Sequence, residues 1–316
     1  MNTDFMNSVY DKLKTEKDLT DSTALKYIRN LVTLNNRQLF KNLAFLKKHE
    51  KINDLLKVYA PTTRKTLLGT IVSVLRMYKT KTGYKKCFNY WEGQMQESIS
   101  EFKKQPKNKL TDAKMKNWID WKDVVDIQKS LNKKIADIRI KTITAKEYND
   151  VLSSFILTLY TAFPPRRNID YMDMSVMKRW KKNMPDDKNY LDLDGEQFIF
   201  NKYKTFKKHG QQIISFEDND AFKHILKILL KVHPLVKGRW KDVPMLVNSQ
   251  GNKFTANNSI TRLLNRIFGG KKVGSTMLRH SYLSHKYGDN LAERKADAEA
   301  MGHDVNTAQN YIIKNT

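Results

Sequence analysis

The C-terminal half of the sequence concentrates arginine, histidine and tyrosine in three short segments. Residues 163–174 read FPPRRNIDYMDM, residues 274–285 read GSTMLRHSYLSH, and residues 301–311 read MGHDVNTAQNY. Arginine suits phosphate oxygens, because its planar fork donates two parallel hydrogen bonds and stays charged. A tyrosine hydroxyl can act as a covalent nucleophile. These residue types together indicate metal-independent chemistry on a phosphodiester.

The motifs of competing chemistries are missing from the sequence. There is no HExxH run and no GxxxxGK[ST] phosphate loop. Cys87 is the single cysteine, which excludes a cysteine zinc site and an internal disulfide framework. We therefore expect no metal, no other cofactor and no ATP-driven step.

The string LRHSY, followed downstream by a Gly-His pair and then a tyrosine, resembles the C-terminal signature of tyrosine recombinases, the phage-type integrases. The resemblance implies that Arg279 is a catalytic arginine, that His303 donates to the phosphate and that Tyr311 is the nucleophile. Thr276 stands where the family has the histidine of His-x-x-Arg. Tyr311 also lies one residue closer to His303 than is usual in the family.

Tyr282 and Tyr287 are competing nucleophiles on the same stretch of sequence. Tyr282 recurs with His280 and His285 on one predicted helix, which is also typical of residues that pack.

The segment FPPRRNIDYMDM resembles the family's first-arginine segment, Arg-x-x-Glu or Arg-x-x-Asp after a helix. Arg167 precedes Asp170 by three residues and is assigned to that position, with Arg166 as its rival. We expect Asp170 to be a structural partner of an arginine, not a base.

Residues 201–216, NKYKTFKKHGQQIISF, resemble the family's β-hairpin that holds a catalytic lysine. The Lys204-Thr205 pair before the turn is the best match. Lys202 and Lys207 stay open as alternatives.

The resemblance covers most of residues 144–316 and implies a site-specific DNA recombinase. Such an enzyme cleaves and rejoins double-stranded DNA through a 3′-phosphotyrosyl link, as a homotetramer at synapsis. A type IB topoisomerase uses the same chemistry, but those enzymes lead with β-structure. A catalytically weak DNA-binding relative is the other alternative, because of Thr276.

Hydrophobic periodicity predicts the elements that must position these residues. Apolar stripes predict helices only over the first hundred residues, followed by a polar, Pro-containing stretch at 103–117 and a further helix. Thr144 and Glu147 fit a capping box that opens a helix ending at Pro164-Pro165. Strand-like runs follow at 190–193, 197–200 and 212–216, and helices at 222–232, at 260–268 and from 275 onward.

The predicted fold is mostly α with a small antiparallel β-sheet, arranged as a two-domain DNA clamp. Residues 1–105 are expected to form a helical core-binding domain. Residues 106–138 are expected to form a linker and connecting helix, and residues 139–316 the tyrosine recombinase catalytic domain.

The charge of the chain agrees with a polyanionic partner. Of 316 residues, 58 are Lys or Arg and 33 are acidic, which gives a formal charge of +25. Seven cations lie on the polar faces of the N-terminal helices and could follow phosphates or be merely solvated: Lys26, Arg29, Arg64, Lys65, Arg76, Lys79 and Lys81. We find neither a signal peptide nor a membrane-length apolar run, and expect a soluble intracellular protein with no membrane partner.

Overall fold

The computed structural model describes residues 3–104, 115–136, 138, 142–236, 242–256, 258–287 and 297–302. The chain divides into two compact units, Met1–Lys107 and Asn108–Thr316.

The described part of the first unit is helical. Thr3 and Thr20 cap the first two helices by accepting hydrogen bonds from backbone N–H groups. Pro61 takes the first position of the fourth α-helix, where its missing N–H is not needed. The helices are α1 (Asp4–Thr15), α2 (Asp21–Leu34), α3 (His49–Lys57), α4 (Pro61–Tyr78) and α5 (Lys85–Lys104).

The core of this unit forms where α4 packs on α5 and α2. Trp91 on α5 is fully buried there, and its indole N–H donates to the Leu46 carbonyl at 2.9 Å. Burial of large side chains such as this one is the main stabilising contribution to a small helical unit.

The second unit contains seven named helices in its described part. The predicted capping box is confirmed: Thr144 accepts from the Glu147 backbone, and the Glu147 carboxylate accepts from the Thr144 backbone. The helices are α6 (Trp121–Ala136), α7 (Ala145–Thr161), α8 (Asn168–Met172), α9 (Phe206–His209), α10 (Asp220–Val232), α11 (Ser259–Ile267) and α12 (Ser275–Tyr287).

The small sheet has five strands in the order β4-β3-β2-β1-β5. The strands are β1 (Ser175–Met177), β2 (Tyr190–Asp192), β3 (Gln197–Phe200), β4 (Gln212–Ser215) and β5 (Val243–Pro244). The β2–β3, β3–β4 and β1–β5 pairs are antiparallel, as predicted for a small sheet built from hairpins.

The prediction of a purely antiparallel sheet is wrong at one pair, because β1 and β2 run parallel. Residues 178–189 join them, and a parallel return needs a connection of about a dozen residues. The sheet is therefore mixed, and the chain remains mostly helical.

Helix α7 lies at the centre of the second unit, against α6, α10 and α11. Its side chains from Val151 to Tyr160 are nearly all buried, so this helix fixes the position of the arginine segment that follows it. Within the described ranges, no helix is both long and apolar enough to cross a membrane.

Candidate functional site

Arg167 lies immediately before α8, as its N-cap residue. Its side chain is half-buried, and its Nη1 is buried without a hydrogen-bond partner among the described residues. A buried guanidinium nitrogen without an acceptor is costly, so such a group is typically directed at a ligand or an ordered water.

Asn168 forms hydrogen bonds that connect α8 to α11 and α12. Its backbone N–H donates to Ser275 Oγ on α12 at 3.3 Å, and its Nδ2 donates to Thr261 Oγ1 on α11 at 2.9 Å. Its Oδ1 accepts from the Tyr160 hydroxyl at 2.6 Å. The helix that begins after Arg167 is thus held directly on the N-terminal turn of α12.

Arg279 and Thr276 lie one turn apart on α12. Arg279 is only 3% exposed, and its Nη2 donates to Thr276 Oγ1 at 3.3 Å. Burial raises the pKa of Tyr160 well above its ordinary value, and the Arg279 charge opposes that rise. The hydrogen bond from Asn168 to Ser275 places the segment of Arg167 against the helix that carries Arg279, so the structure brings the two arginine motifs together.

Arg166 has a different environment from its neighbour. It is 1% exposed, and its Nε lies 3.2 Å from Asp170 Oδ2. Its Nη1 donates to Gln212 Oε1 at 2.8 Å and to the Ala300 carbonyl, and its guanidinium lies 3.8 Å from the centre of the Phe200 ring. Asp170 was expected to be the structural partner of an arginine, and its ion-pair partner is Arg166.

Asp170 is a buried carboxylate at the back of the site. Burial raises its pKa, while the nearby charges of Arg166 and Arg167 lower it. Its backbone N–H donates to the Arg167 carbonyl. Asp170 thus contacts both arginines and helps to fix the chain between them.

The segment 297–302, which ends at the glycine of the Gly-His pair, is bound by the β3–β4 connection and by the first residue of β4. Thr205 Oγ1 donates to the Gly302 carbonyl, and Gln212 Nε2 donates to the Glu299 carbonyl at 2.7 Å. Gly302 has a φ of +68°, and a Cβ at this position would lie 3.0 Å from the Tyr203 ring. Only glycine fits this close approach without a shift of its neighbours.

Lys204 lies in the turn between β3 and α9, and its side chain is exposed. Lys202 is also exposed, 3.9 Å from the Asp173 carboxylate, and Lys207 is exposed on α9. The predicted hairpin is present, but its two strands are joined by residues 201–211 and not by a tight turn. The structure thus places all three candidate lysines on one solvent-facing connection.

The two competing tyrosines, Tyr282 and Tyr287, take part in hydrophobic packing. The Tyr282 hydroxyl donates to the Asp297 carboxylate, and Lys286 contacts both groups. Burial, together with the Asp297 bond, raises the pKa of Tyr282, which opposes the ionised form that a nucleophile needs. Tyr287 is 1% exposed.

His303 and Tyr311, the expected phosphate donor and nucleophile, lie outside the described residues. Within the described ranges, no group of three or more His, Cys, Asp or Glu side chains could hold a metal ion.

Sequence reasoning missed three residues that build the site: Asn168, Gln212 and Ser275. Asn168 and Ser275 each adjoin a predicted site residue, which was the available signal. Gln212 contacts Arg166 across 46 positions of sequence, and no local pattern indicates that contact.

Comparison with known proteins places the chain far from characterised relatives. No family model matches the sequence, and no curated protein matches it. A solved structure described as "Crystal structure of XerA recombinase" is similar, with 11% identity and a TM-score of 0.43 over 98% of this chain and 93% of that chain. At this level of likeness, the function of the chain has to be inferred from its own residues.

Proposed function

We propose that this chain is a tyrosine-type site-specific DNA recombinase, which cleaves and rejoins double-stranded DNA through a 3′-phosphotyrosyl intermediate. The observation that carries the proposal is the pair of hydrogen bonds from Asn168 to Ser275 and Thr261. These bonds bring together two arginine motifs that are more than a hundred residues apart in the sequence.

Arg167 and Arg279 would bind the nonbridging oxygens of the scissile phosphate. Charge develops on these oxygens in the transition state, and preorganised donors stabilise it without reorganisation. The buried, unpartnered Nη1 of Arg167 supports this role. Thr276 already accepts a bond from Arg279 and would orient it.

Tyr311 would attack the phosphorus atom, forming the bond to its own oxygen as the bond to the 5′ oxygen breaks. A free tyrosine has a pKa of about 10, so nearby cations must favour its ionised form during the attack. Lys204 would protonate the departing 5′ oxygen, and His303 would donate to the phosphate. The phosphotyrosyl bond keeps the energy of the broken ester, so a DNA 5′ hydroxyl can reverse the step without ATP or a metal.

The first unit would be the core-binding domain, and the formal charge of +25 would favour its association with DNA. Strand exchange needs two duplexes, so the active form would be a homotetramer at synapsis.

A trapping experiment tests the chemistry. Nicked duplexes from a randomised pool lose a short 5′-hydroxyl fragment after cleavage, which leaves the protein covalently attached to DNA. We expect an adduct that resists detergent with the wild type and none with Tyr311→Phe, which should still bind DNA because only one hydroxyl is lost.

Tyr282→Phe is the matched control and should still form the adduct. An adduct that persists in Tyr311→Phe would assign the nucleophile to another tyrosine. Absence of an adduct from the wild type, with DNA binding intact, would favour a non-catalytic DNA-binding protein.

A further inference from the structure

A cleft of about 310 Å³ lies beside α8, the short helix that begins after Arg167. We define this α8 cleft by three apolar residues, Ile169, Met172 and Phe254, and three lysines, Lys188, Lys202 and Lys253. Asp173, Asn189 and Thr255 complete its lining. Of these side chains, only Lys202 belongs to the candidate site, as an alternative to Lys204.

The apolar side of the α8 cleft is open to solvent. Ile169 is 48% exposed, although it lies only two residues after Arg167, and Met172 and Phe254 are half-buried. A phosphate backbone alone would make no favourable contact with these apolar side chains. A planar base would make such contacts, since proteins generally bind unpaired bases through stacking and apolar contact with side chains.

The lysines reach the cleft from three separate segments and carry an excess of positive charge. Lys188 pairs with Asp242 at 2.5 Å, and Lys202 lies at the longer distance of 3.9 Å from Asp173. Lys253 makes no ion pair within 4 Å with any described residue, and the longer-range effect of its charge lowers the pKa of the Asp242 carboxyl. Lys202 and Lys253 are therefore available to a phosphate.

A buried asparagine fixes the cleft relative to α8. Asn189 donates to the Asp170 carbonyl at 2.7 Å and to the Lys202 carbonyl at 2.9 Å. Its side-chain oxygen accepts from the backbone N–H groups of Asn201 and Lys202. The backbone that carries Lys202 is thus held against the helix that follows Arg167, and the cleft is preformed.

We propose that the α8 cleft binds one nucleotide, with its base against Ile169 and Phe254 and its phosphate between Lys202 and Lys253. The proposal rests on the proposed function and extends it: the nucleotide belongs to the substrate strand and leaves the base stack close to the scissile phosphate. The five residues of α8 rise about 7.5 Å, which is roughly two base-pair steps of about 3.4 Å, so the cleft lies within reach of a neighbouring nucleotide.

A free mononucleotide has the same chemistry as an unstacked nucleotide of the strand, so the test needs an arm for each source. The first probe is a duplex with a single unpaired 2-aminopurine nucleotide, compared with its fully paired counterpart. The second is 2-aminopurine deoxyriboside 5′-monophosphate. Equilibrium binding to the full-length protein is measured by anisotropy and by 2-aminopurine fluorescence.

The cleft variants are Ile169→Glu and Lys253→Glu. The matched controls are Ile213→Glu, at an isoleucine that is 52% exposed on β4, and Lys227→Glu, at an exposed lysine on α10. We expect the wild type and both controls to bind the unpaired duplex at least about fivefold more tightly than the paired one, a factor within the range of base stacking. Both cleft variants should lose this preference.

Equal affinity for the two duplexes, or a preference that survives in both cleft variants, overturns the proposal. Binding of the mononucleotide that depends on Ile169 and Lys253, without a preference among duplexes, would also overturn the strand as the source and assign the cleft to a free nucleotide. The trapping experiment separates the cleft proposal from the proposed function. A covalent adduct without a preference for the unpaired duplex contradicts only the cleft proposal. A preference for the unpaired duplex without an adduct contradicts only the recombinase chemistry.

Discussion

Arg166 and Arg167 show how strongly the environment decides the role of a side chain. Arg166 is enclosed by Asp170, Gln212 and the Phe200 ring, and its charge compensates a carboxylate that is fully buried. Both arginines keep one buried guanidinium nitrogen without a hydrogen-bond partner among the described residues, but the Arg167 side chain is only half-buried. Arg166 therefore belongs to the framework, and in the proposed mechanism Arg167 is the arginine that binds the phosphate.

This difference predicts opposite phenotypes for the two alanine variants. Arg166→Ala leaves Asp170 as an uncompensated buried charge, and we expect a loss of about 3–5 kcal/mol in the free energy of unfolding. Arg167→Ala should change that free energy by less than about 1 kcal/mol and slow cleavage by roughly a hundredfold or more. Urea denaturation and adduct formation measure the two effects. If Arg166→Ala is as stable as the wild type and Arg167→Ala still forms the adduct, the roles given to the two arginines are wrong.

The proposed proton donor can be tested with a substrate that needs no proton. Sulfur at the bridging 5′ position leaves as a thiolate, which is much more stable than an alkoxide. Lys204→Ala should strongly slow cleavage of the normal ester, and the sulfur substrate should largely restore its cleavage rate. Arg167→Ala should not be rescued, because its proposed contact is to the nonbridging oxygens.

Equal activity of Lys204→Ala and the wild type on the normal substrate would contradict the assignment. Lys202→Ala and Lys207→Ala, on the same exposed connection, are then the next variants to test.

At the scale of elements, the β3–β4 connection determines where the segment 297–302 lies. Thr205 and Gln212 bind two of its carbonyls, and Tyr203 packs on Gly302. His303 follows directly in the sequence, so the hairpin that carries Lys204 also sets the starting point of the Gly-His motif.

We therefore expect Gly302→Ala to disturb the site more than an ordinary glycine substitution. An alanine at a positive φ costs about 1–2 kcal/mol in backbone strain. The added Cβ at position 302 would also lie 3.0 Å from the Tyr203 ring. Gly269→Ala is the matched control, since Gly269 has a similar φ of +63° and its Cβ would meet nothing within 4 Å.

Gly302→Ala should lose more unfolding free energy than Gly269→Ala, and only Gly302→Ala should slow adduct formation. Equal losses in the two variants would mean that the contact with Tyr203 does not position the segment.

Sequence patterns predicted those elements whose signal is local. The strands at 197–200 and 212–215 and the capping box of α7 were found because alternation and cap residues are short-range features. Strand β1 was missed, because three fully buried residues leave no room for alternation and its parallel pairing depends on a distant strand. The sequence predicted that Asp170 pairs with an arginine but did not say which one, because the burial of Arg166 depends on tertiary contacts that sequence spacing does not contain.

At the scale of the whole molecule, the basic residues of the N-terminal unit are not equivalent. Arg76 pairs with Glu92, Arg64 donates to the Leu56 carbonyl, and Lys65 lies over the Phe102 ring. Lys79 and Lys81 also lie near aromatic rings. Of the seven cations on the polar helical faces, Lys26 and Arg29 on α2 are exposed and have no side-chain partner among the described residues.

Those two side chains give the DNA-binding hypothesis a specific test. If about six phosphates are contacted, the logarithm of the binding constant should fall with the logarithm of salt concentration at a slope of about −5. The double variant Lys26→Ala/Arg29→Ala should make that slope shallower by about 2, because each lost phosphate contact removes about 0.9. Lys57→Ala, in the same unit, should leave the slope unchanged, because Lys57 is already paired with Asp54. A flat salt dependence of the wild type would contradict DNA binding through phosphates, whereas a steep slope that the double variant leaves unchanged would mean that the face of α2 is only solvated.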